Sequence, residues 1–269
     1  MRRFSVVVPA LLMVLASASV VEAQTINQKI VTFLNGKVGT RIGGGECAHV
    51  ATEALRVAGA EFTSTDLGAD SPSAGDYVWG TLIKTVSVTS GVRTDSAPAA
   101  LIQAGDIIQY RGTQFVYPTY STTATQHTSI VSLVNAAGAP TEVFQQNFGS
   151  VRSVTKAPID LTKLTLGWVR IYRPKALVVR TGQFKISVVN NVTTTQSATI
   201  KVGTTTISTF SSGIANTMSS FSTRWFTTSS TTVPTLVLPN GQSVAIVKGG
   251  GYEIYSGTGG VVMVRKLTQ

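Results

Sequence analysis

The sequence predicts an α+β chain with a small all-β segment behind it, and three observations predict it. Amphipathic helical patterns are confined to the first sixty residues. Between 106 and 172 the pattern changes to short strands separated by turn residues. Beyond Pro174 only brief β-branched runs remain, in a Ser/Thr-rich background. Helices first and a meander afterwards is an α+β order. Of the 269 residues, 43% are hydrophobic and only 13% are charged, which suits a sizeable core and strands rather than long solvated helices.

Residues 1–23 read as a secretory signal and not as fold. Arg2 and Arg3 open it, an apolar run extends from Phe4 to about Leu15, and Val21-Glu22-Ala23 forms an A-x-A-like end. Cleavage near Ala23 is expected to leave a secreted or periplasmic product. No later run reaches the roughly 20 apolar residues of a membrane span. Losing Arg2, Arg3 and Glu22 lowers the formal charge from +10 by one unit, to +9. A basic exported protein is drawn to anionic surfaces such as cell walls and acidic envelope polymers. Nucleic acid is a poorer partner, because Lys and Arg are scattered without interleaved aromatics and the compartment is wrong.

Residues 24–174 are expected to form the first domain. Gln24 to Gly39 reads as a short helix with Ile26, Ile30, Phe33 and Leu34 on one side, closed by Asn35-Gly36. Gly43-Gly44-Gly45 precedes a second helix from about Cys47 to Ala58, stopped by Gly59. Its apolar face holds Cys47, Val50, Ala51, Ala54, Leu55 and Ala58. Residues 60–74 form a polar loop, and Tyr77 and Trp79 lie in an aromatic cluster between glycines. Strands are expected at 106–111, 127–134, 142–148 and 166–172. Residues 175–269 are expected to form a small all-β domain with runs near 177–180, 184–189, 198–202, 236–238, 244–247, 252–255 and 261–264. The stretch 204–232 fits either a loop or a short helix.

Cys47 is the only cysteine, so it makes no internal disulfide. It stands at a helix start, where unpaired N–H groups and the positive end of the helix dipole favour thiolate. The plain alternative is a small buried hydrophobe on the core face of its helix. A nucleophilic thiol needs a base and a group that orients the base. Two histidines are available. His49 lies two residues from Cys47, about 200° around the helix, with Thr52, Glu53 and Arg56 on a polar face suited to a solvated side chain. His127 opens a strand and is the better candidate. In the strand after it, alternation puts Gln145 and Asn147 on one side, with amide oxygens able to accept an imidazole N–H.

Gly44-Gly45-Glu46-Cys47-Ala48, Gly105-Asp106-Ile107-Ile108-Gln109, Gln126-His127-Thr128-Ser129-Ile130-Val131 and Phe144-Gln145-Gln146-Asn147 follow one another in order. Together they resemble the landmarks of the CHAP amidases, papain-like cysteine hydrolases related to the NlpC/P60 peptidases, over roughly residues 25–174. The resemblance implies a papain-like domain with N-terminal helices on an antiparallel sheet. It implies Cys47 as nucleophile, His127 as base and Asn147 as orienter with Gln145 beside it, acting on an amide of cell-wall peptidoglycan. Tyr77 and Trp79 are candidates to line the substrate groove, with core packing as the plain alternative. Two positions depart from the pattern: Gln145 stands where glutamate is common, and Glu46 where glutamine is frequent. A carboxylate at 46 disfavours a neighbouring thiolate. A catalytically degenerate binder of envelope polymers, working through the β segment, is therefore the alternative to an active hydrolase. No cofactor is expected. One Cys and two His do not suggest zinc, and the glycine triplet lacks the ending of a phosphate loop.

Overall fold

Two helices, α1 (Ile26–Asn35) and α2 (Cys47–Ala58), are the only α-helices among the described residues. The computed structural model describes residues 24–63, 67, 69–71, 76–96, 101–178 and 180–268. The expected signal at 1–23, with its cut near Ala23, lies outside them. Thr25 caps α1 in a reciprocal pair: its hydroxyl accepts from the Gln28 N–H and its own N–H donates to Gln28 Oε1 at 2.7 Å. Gly36 ends α1, and Gly59 ends α2 in the left-handed conformation at φ 73°, a geometry that favours glycine. Both helices thus end where turn chemistry predicts.

Strands dominate the remainder. β1 (Ala69–Ser71) and β2 (Asp76–Tyr77) make a two-stranded ribbon. A seven-stranded antiparallel sheet is built from β3 (Thr81–Thr89), β4 (Val92–Asp95), β5 (Ile107–Val116), β6 (Ser121–Val134), β7 (Pro140–Gln145), β8 (Thr155–Pro158) and β9 (Leu164–Arg173). Its order is β4-β3-β9-β5-β6-β7-β8. Later come β10 (Gln183–Asn190), β11 (Gln196–Val202), β12 (Thr205–Ser212), β13 (Phe221–Thr227), β14 (Pro234–Val237), β15 (Ser243–Ala245), β16 (Gly251–Ser256) and β17 (Val262–Lys266). They form two four-stranded sheets, β13-β10-β16-β17 and β12-β11-β14-β15, around Ile186, Ile200, Leu236 and Tyr252.

The α+β expectation is therefore overturned. Among the described residues strand accounts for 49% and helix for 14%, with two α-helices beside three large sheets. The physical reason lies in what periodicity left unread. β4, β8 and β13 carry Thr, Ser, Lys, Arg or Asp among few apolar residues, so they lack the compact β-branched runs that mark strands. Tertiary pairing, and not local composition, makes them strands. The stretch 204–232, open between loop and helix, holds β12, a short 3₁₀ turn and β13.

The seven-stranded sheet has two buried faces. One carries Ile107, Ile130 and Phe144 in a cluster with Ile30, Leu34, Val50, Ala54 and Leu55 of the helices. The other carries Ile108, Tyr110, Val131, Val143 and Ile171. Alternation along β5, β6 and β7 assigns each residue to its face.

The polar face of α2 is also buried, against sequence expectation. Glu53 and Arg56 are both 4% exposed and pair at 2.9 Å. Arg56 Nη1 donates to the Gly249 carbonyl at 2.9 Å, and the Ser187 hydroxyl donates to Glu53. Nearby, Lys185 meets Glu61 at 2.7 Å with both side chains buried. The later β sheets cover this face, and satisfied charges make such burial tolerable.

Candidate functional site

Cys47 is the first residue of α2 and is partly buried. The glycines before it are required by contact. A Cβ on Gly44 would overlap Ser220 Oγ and lie 2.8 Å from the Thr217 carbonyl oxygen, while Gly43 and Gly45 have φ of 56° and 87°. Gln146 of the segment after β7 staples this loop. Its Oε1 accepts from the Ile42 N–H at 2.8 Å, and its Nε2 donates to the Ile42 and Glu46 carbonyls at 3.0 Å each.

The group that meets the Cys47 thiol is Thr128. The Thr128 backbone and side chain and the Ala48 backbone lie next to the sulfur and act to lower its pKa. Thr128 also donates to Gln109 Oε1 at 2.8 Å, and Gln109 Oε1 accepts from Trp79 Nε1 at 2.9 Å. Thr128, Gln109 and Trp79 thus form one hydrogen-bonded line beside the sulfur on the helix-covered face. Burial pushes the Cys47 thiol above its ordinary value of 9.0, and the Glu46 carboxylate adds to that. Thr128 and Ala48 act in the opposite direction but do not cancel it.

His127 is on the other face. It pairs across the ladder with Tyr110, and their rings lie 5.6 Å apart, whereas Thr128 pairs with Gln109. Nε2 of His127 is 3.3 Å from Gln145 Oε1, and Phe148 packs against the imidazole at 5.1 Å. Burial lowers the His127 pKa to about 4, with the Gln145 bond opposing. Among the described residues no hydrogen bond joins His127 to Cys47.

Asn147 and Gln145 separate as well. β7 ends at Gln145, and Asn147 takes φ 58°, so strand alternation stops between them. Asn147 Nδ2 donates to Glu46 Oε2, and Arg152 pairs with Glu46 Oε1 at 2.7 Å. The structure thus brings Gln145 to His127 and Asn147 to the residue before Cys47. It does not gather Cys47, His127 and Asn147 at one point.

His49 is 2% exposed, not solvated. Its Nδ1 accepts from the Gly44 N–H at 2.9 Å, and its ring packs on Phe221 of β13 at 4.5 Å. Burial drives its pKa down to about 3. Tyr77 and Trp79 are 5.3 Å apart and, with His49 and Phe221, line a cavity of about 240 Å³. The Tyr77 pKa is raised by burial first and by Cys47 second. Trp79 is buried and serves the core beside that cavity. Thr128 and Gln109 escaped sequence reading, since neither residue type signals chemistry by itself. Among the described residues no group of three or more His, Cys, Asp or Glu is placed to hold a metal, and no helix is long and apolar enough to cross a membrane.

A family profile described as the AIM3/BBC1 cysteine proteinase-fold domain matches residues 20–184, more than half of the chain. The chain belongs to that family. The matched span contains Cys47, His127, Gln145 and Asn147 and ends where β10 begins. Family membership supports a cysteine proteinase kinship for the span. No curated protein matches the chain in sequence. Similar solved structures include two of Ly7917. One is Ly7917 with the hydrolyzing product of MDP, at 17% identity over 90% of this chain and 93% of that one, with TM-score 0.33. The other is Ly7917, at 15% identity over 89% and 91%, with TM-score 0.31. At such scores neither bears on what this chain does.

Proposed function

We propose that this cysteine proteinase-fold chain binds an anionic envelope polymer, such as cell-wall peptidoglycan, without cleaving it. One observation carries the reading: the strand residue that meets the Cys47 sulfur is Thr128, and the imidazole next to it in sequence faces away. A threonine hydroxyl takes no proton from a thiol near neutral pH. A buried thiol with a raised pKa and no base is a poor nucleophile. The Glu46 carboxylate beside it opposes both thiolate and oxyanion. The formal charge of +9 expected after cleavage supplies attraction to anionic polymer. Export by the segment ending near Ala23 would bring the chain to such a surface.

The test compares wild type with Cys47→Ala in two assays, clearing of a cell-wall gel and sedimentation with insoluble wall. Both proteins are expected to co-sediment, less so as salt rises, and neither is expected to clear the gel. Iodoacetamide is expected to label Cys47 slowly at pH 7, at a rate unchanged by His127→Ala. Clearing by wild type that Cys47→Ala abolishes would overturn the reading in favour of hydrolysis through Cys47, His127 and Asn147.

A further inference from the structure

The face of the large sheet away from Cys47 holds a cavity of about 220 Å³. Its inner wall contains His127 and Gln145. Its outer wall is Tyr117 and Tyr120, stacked at 4.5 Å and 14°. Tyr117 is held in place because its hydroxyl oxygen accepts from the Asp160 N–H at 3.3 Å, while Tyr120 is 48% exposed. No Asp, Glu, Lys or Arg is among the described lining residues. An occupant therefore gains nothing from carrying charge and loses its hydration on entry.

The imidazole defines the occupant further. Nε2 faces Gln145 Oε1 and so carries the proton, which leaves Nδ1 as an acceptor with no hydrogen-bond partner among the described residues. With its pKa lowered to about 4 by burial, the ring stays neutral near pH 7 and keeps that acceptor. The cavity thus offers an acceptor at its base and an aromatic platform at its mouth. Tyr117 and Tyr120 already stack on each other, so a flat aromatic cannot slip between them. One open aromatic face suits the C–H side of a saturated ring, and Thr122 and Thr123 beside it add hydroxyls to meet the ring's periphery.

We propose that this cavity binds a single uncharged pyranose ring, its C–H face on Tyr120 and one hydroxyl donating to Nδ1 of His127. The proposal rests on the polymer-binding reading for the source of the sugar, and on the cavity alone for its chemistry. N-acetylglucosamine and methyl β-glucoside are titrated into the full mature chain, followed by the ¹⁵N resonances of the His127 ring. At least one sugar is expected to saturate and shift Nδ1. Tyr120→Ala should weaken that binding by roughly tenfold, the size of one lost ring contact. Because Tyr120 is half exposed, this variant should keep its fold, which a thermal melt verifies. Cys47→Ala should bind the sugar as wild type does. The proposal fails if neither sugar moves Nδ1, if Tyr120→Ala binds undiminished, or if phenol saturates the site and both sugars do not. Sugar binding without wall sedimentation would sink the polymer reading alone. Sedimentation without sugar binding would sink this one alone.

Discussion

The two faces of the seven-stranded sheet differ by one residue of β6 and by everything that follows from it. On the helix-covered face, Thr128 meets a thiol and joins it through Gln109 to Trp79. On the other face, His127 meets Gln145 and a cage of aromatic rings. Each face holds half of what a thiol hydrolase needs. Side chains on a strand alternate, so neighbours in sequence are separated by the thickness of the sheet. Having the right residues in the right order is thus compatible with no shared site at all.

The largest expected effect concerns proton uptake. One buried histidine belongs to each side of this comparison, His127 with a pKa of about 4 and His49, on α2 beside the thiol, with about 3. Both values lie below the unfolded value of about 6.5. Between those limits the unfolded chain binds protons that the folded chain refuses, so stability is fully present above pH 6.5 and declines as pH falls. From pH 6.5 to 5 each histidine should cost about 2 kcal/mol, at 1.36 kcal/mol per pH unit. Urea unfolding at pH 7 and pH 5 measures the loss. His127→Gln and His49→Gln should each remove about half of it. If His127→Gln leaves the whole loss in place, the imidazole is not enclosed and the distinction between the faces weakens.

A smaller effect should follow from moving an imidazole across the sheet. Thr128→His puts a base at the position that touches the Cys47 sulfur, and the alkylation rate at pH 7 should rise by about tenfold or more. The larger side chain at a position only 1% exposed should cost about 1–3 kcal/mol of stability, so a melt accompanies the kinetics. His127→Ala should leave alkylation where it was. Were His127→Ala to slow alkylation instead, the two faces would be communicating and the comparison would not hold.

What the sequence makes legible tracks how local the signal is. The helix over Cys47–Ala58 and its stop at Gly59 depend on a 3.6-residue pattern and one left-handed glycine, and the structure has both. β5, β6 and β9 also lie where strand patterns place them, though β5 and β6 run further than expected, whereas β7 starts earlier and stops at Gln145, short of the expected 148. The overall class was not legible, because weakly patterned segments such as β8 and β13 become strands only by pairing. The face taken by His127 was not legible for a sharper reason. Residues 127–132 are buried on both sides of the sheet, so apolar alternation, which would have fixed the register, is missing from Ile130-Val131. The polar side of α2 misled in the opposite sense. His49, Glu53 and Arg56 look solvated, but the docking of β10 and the Gly249 turn buries Glu53 and Arg56, and Phe221 of β13 covers His49.

The smallest expected effect isolates charge from geometry at the thiol. Glu46→Gln keeps an acceptor for Asn147 Nδ2 and removes the carboxylate that disfavours thiolate. Burial stands ahead of Glu46 among the causes that raise the Cys47 pKa, and Arg152 at 2.7 Å already offsets much of the Glu46 charge. Alkylation at pH 7 should therefore quicken by no more than a few-fold, on the order of 0.5 kcal/mol, as expected for a partly screened neighbour. A gain equal to that of Thr128→His would mean that one carboxylate holds the thiol quiet. The absent imidazole would then be incidental, and the sheet's two faces would no longer explain why this sulfur stays protonated.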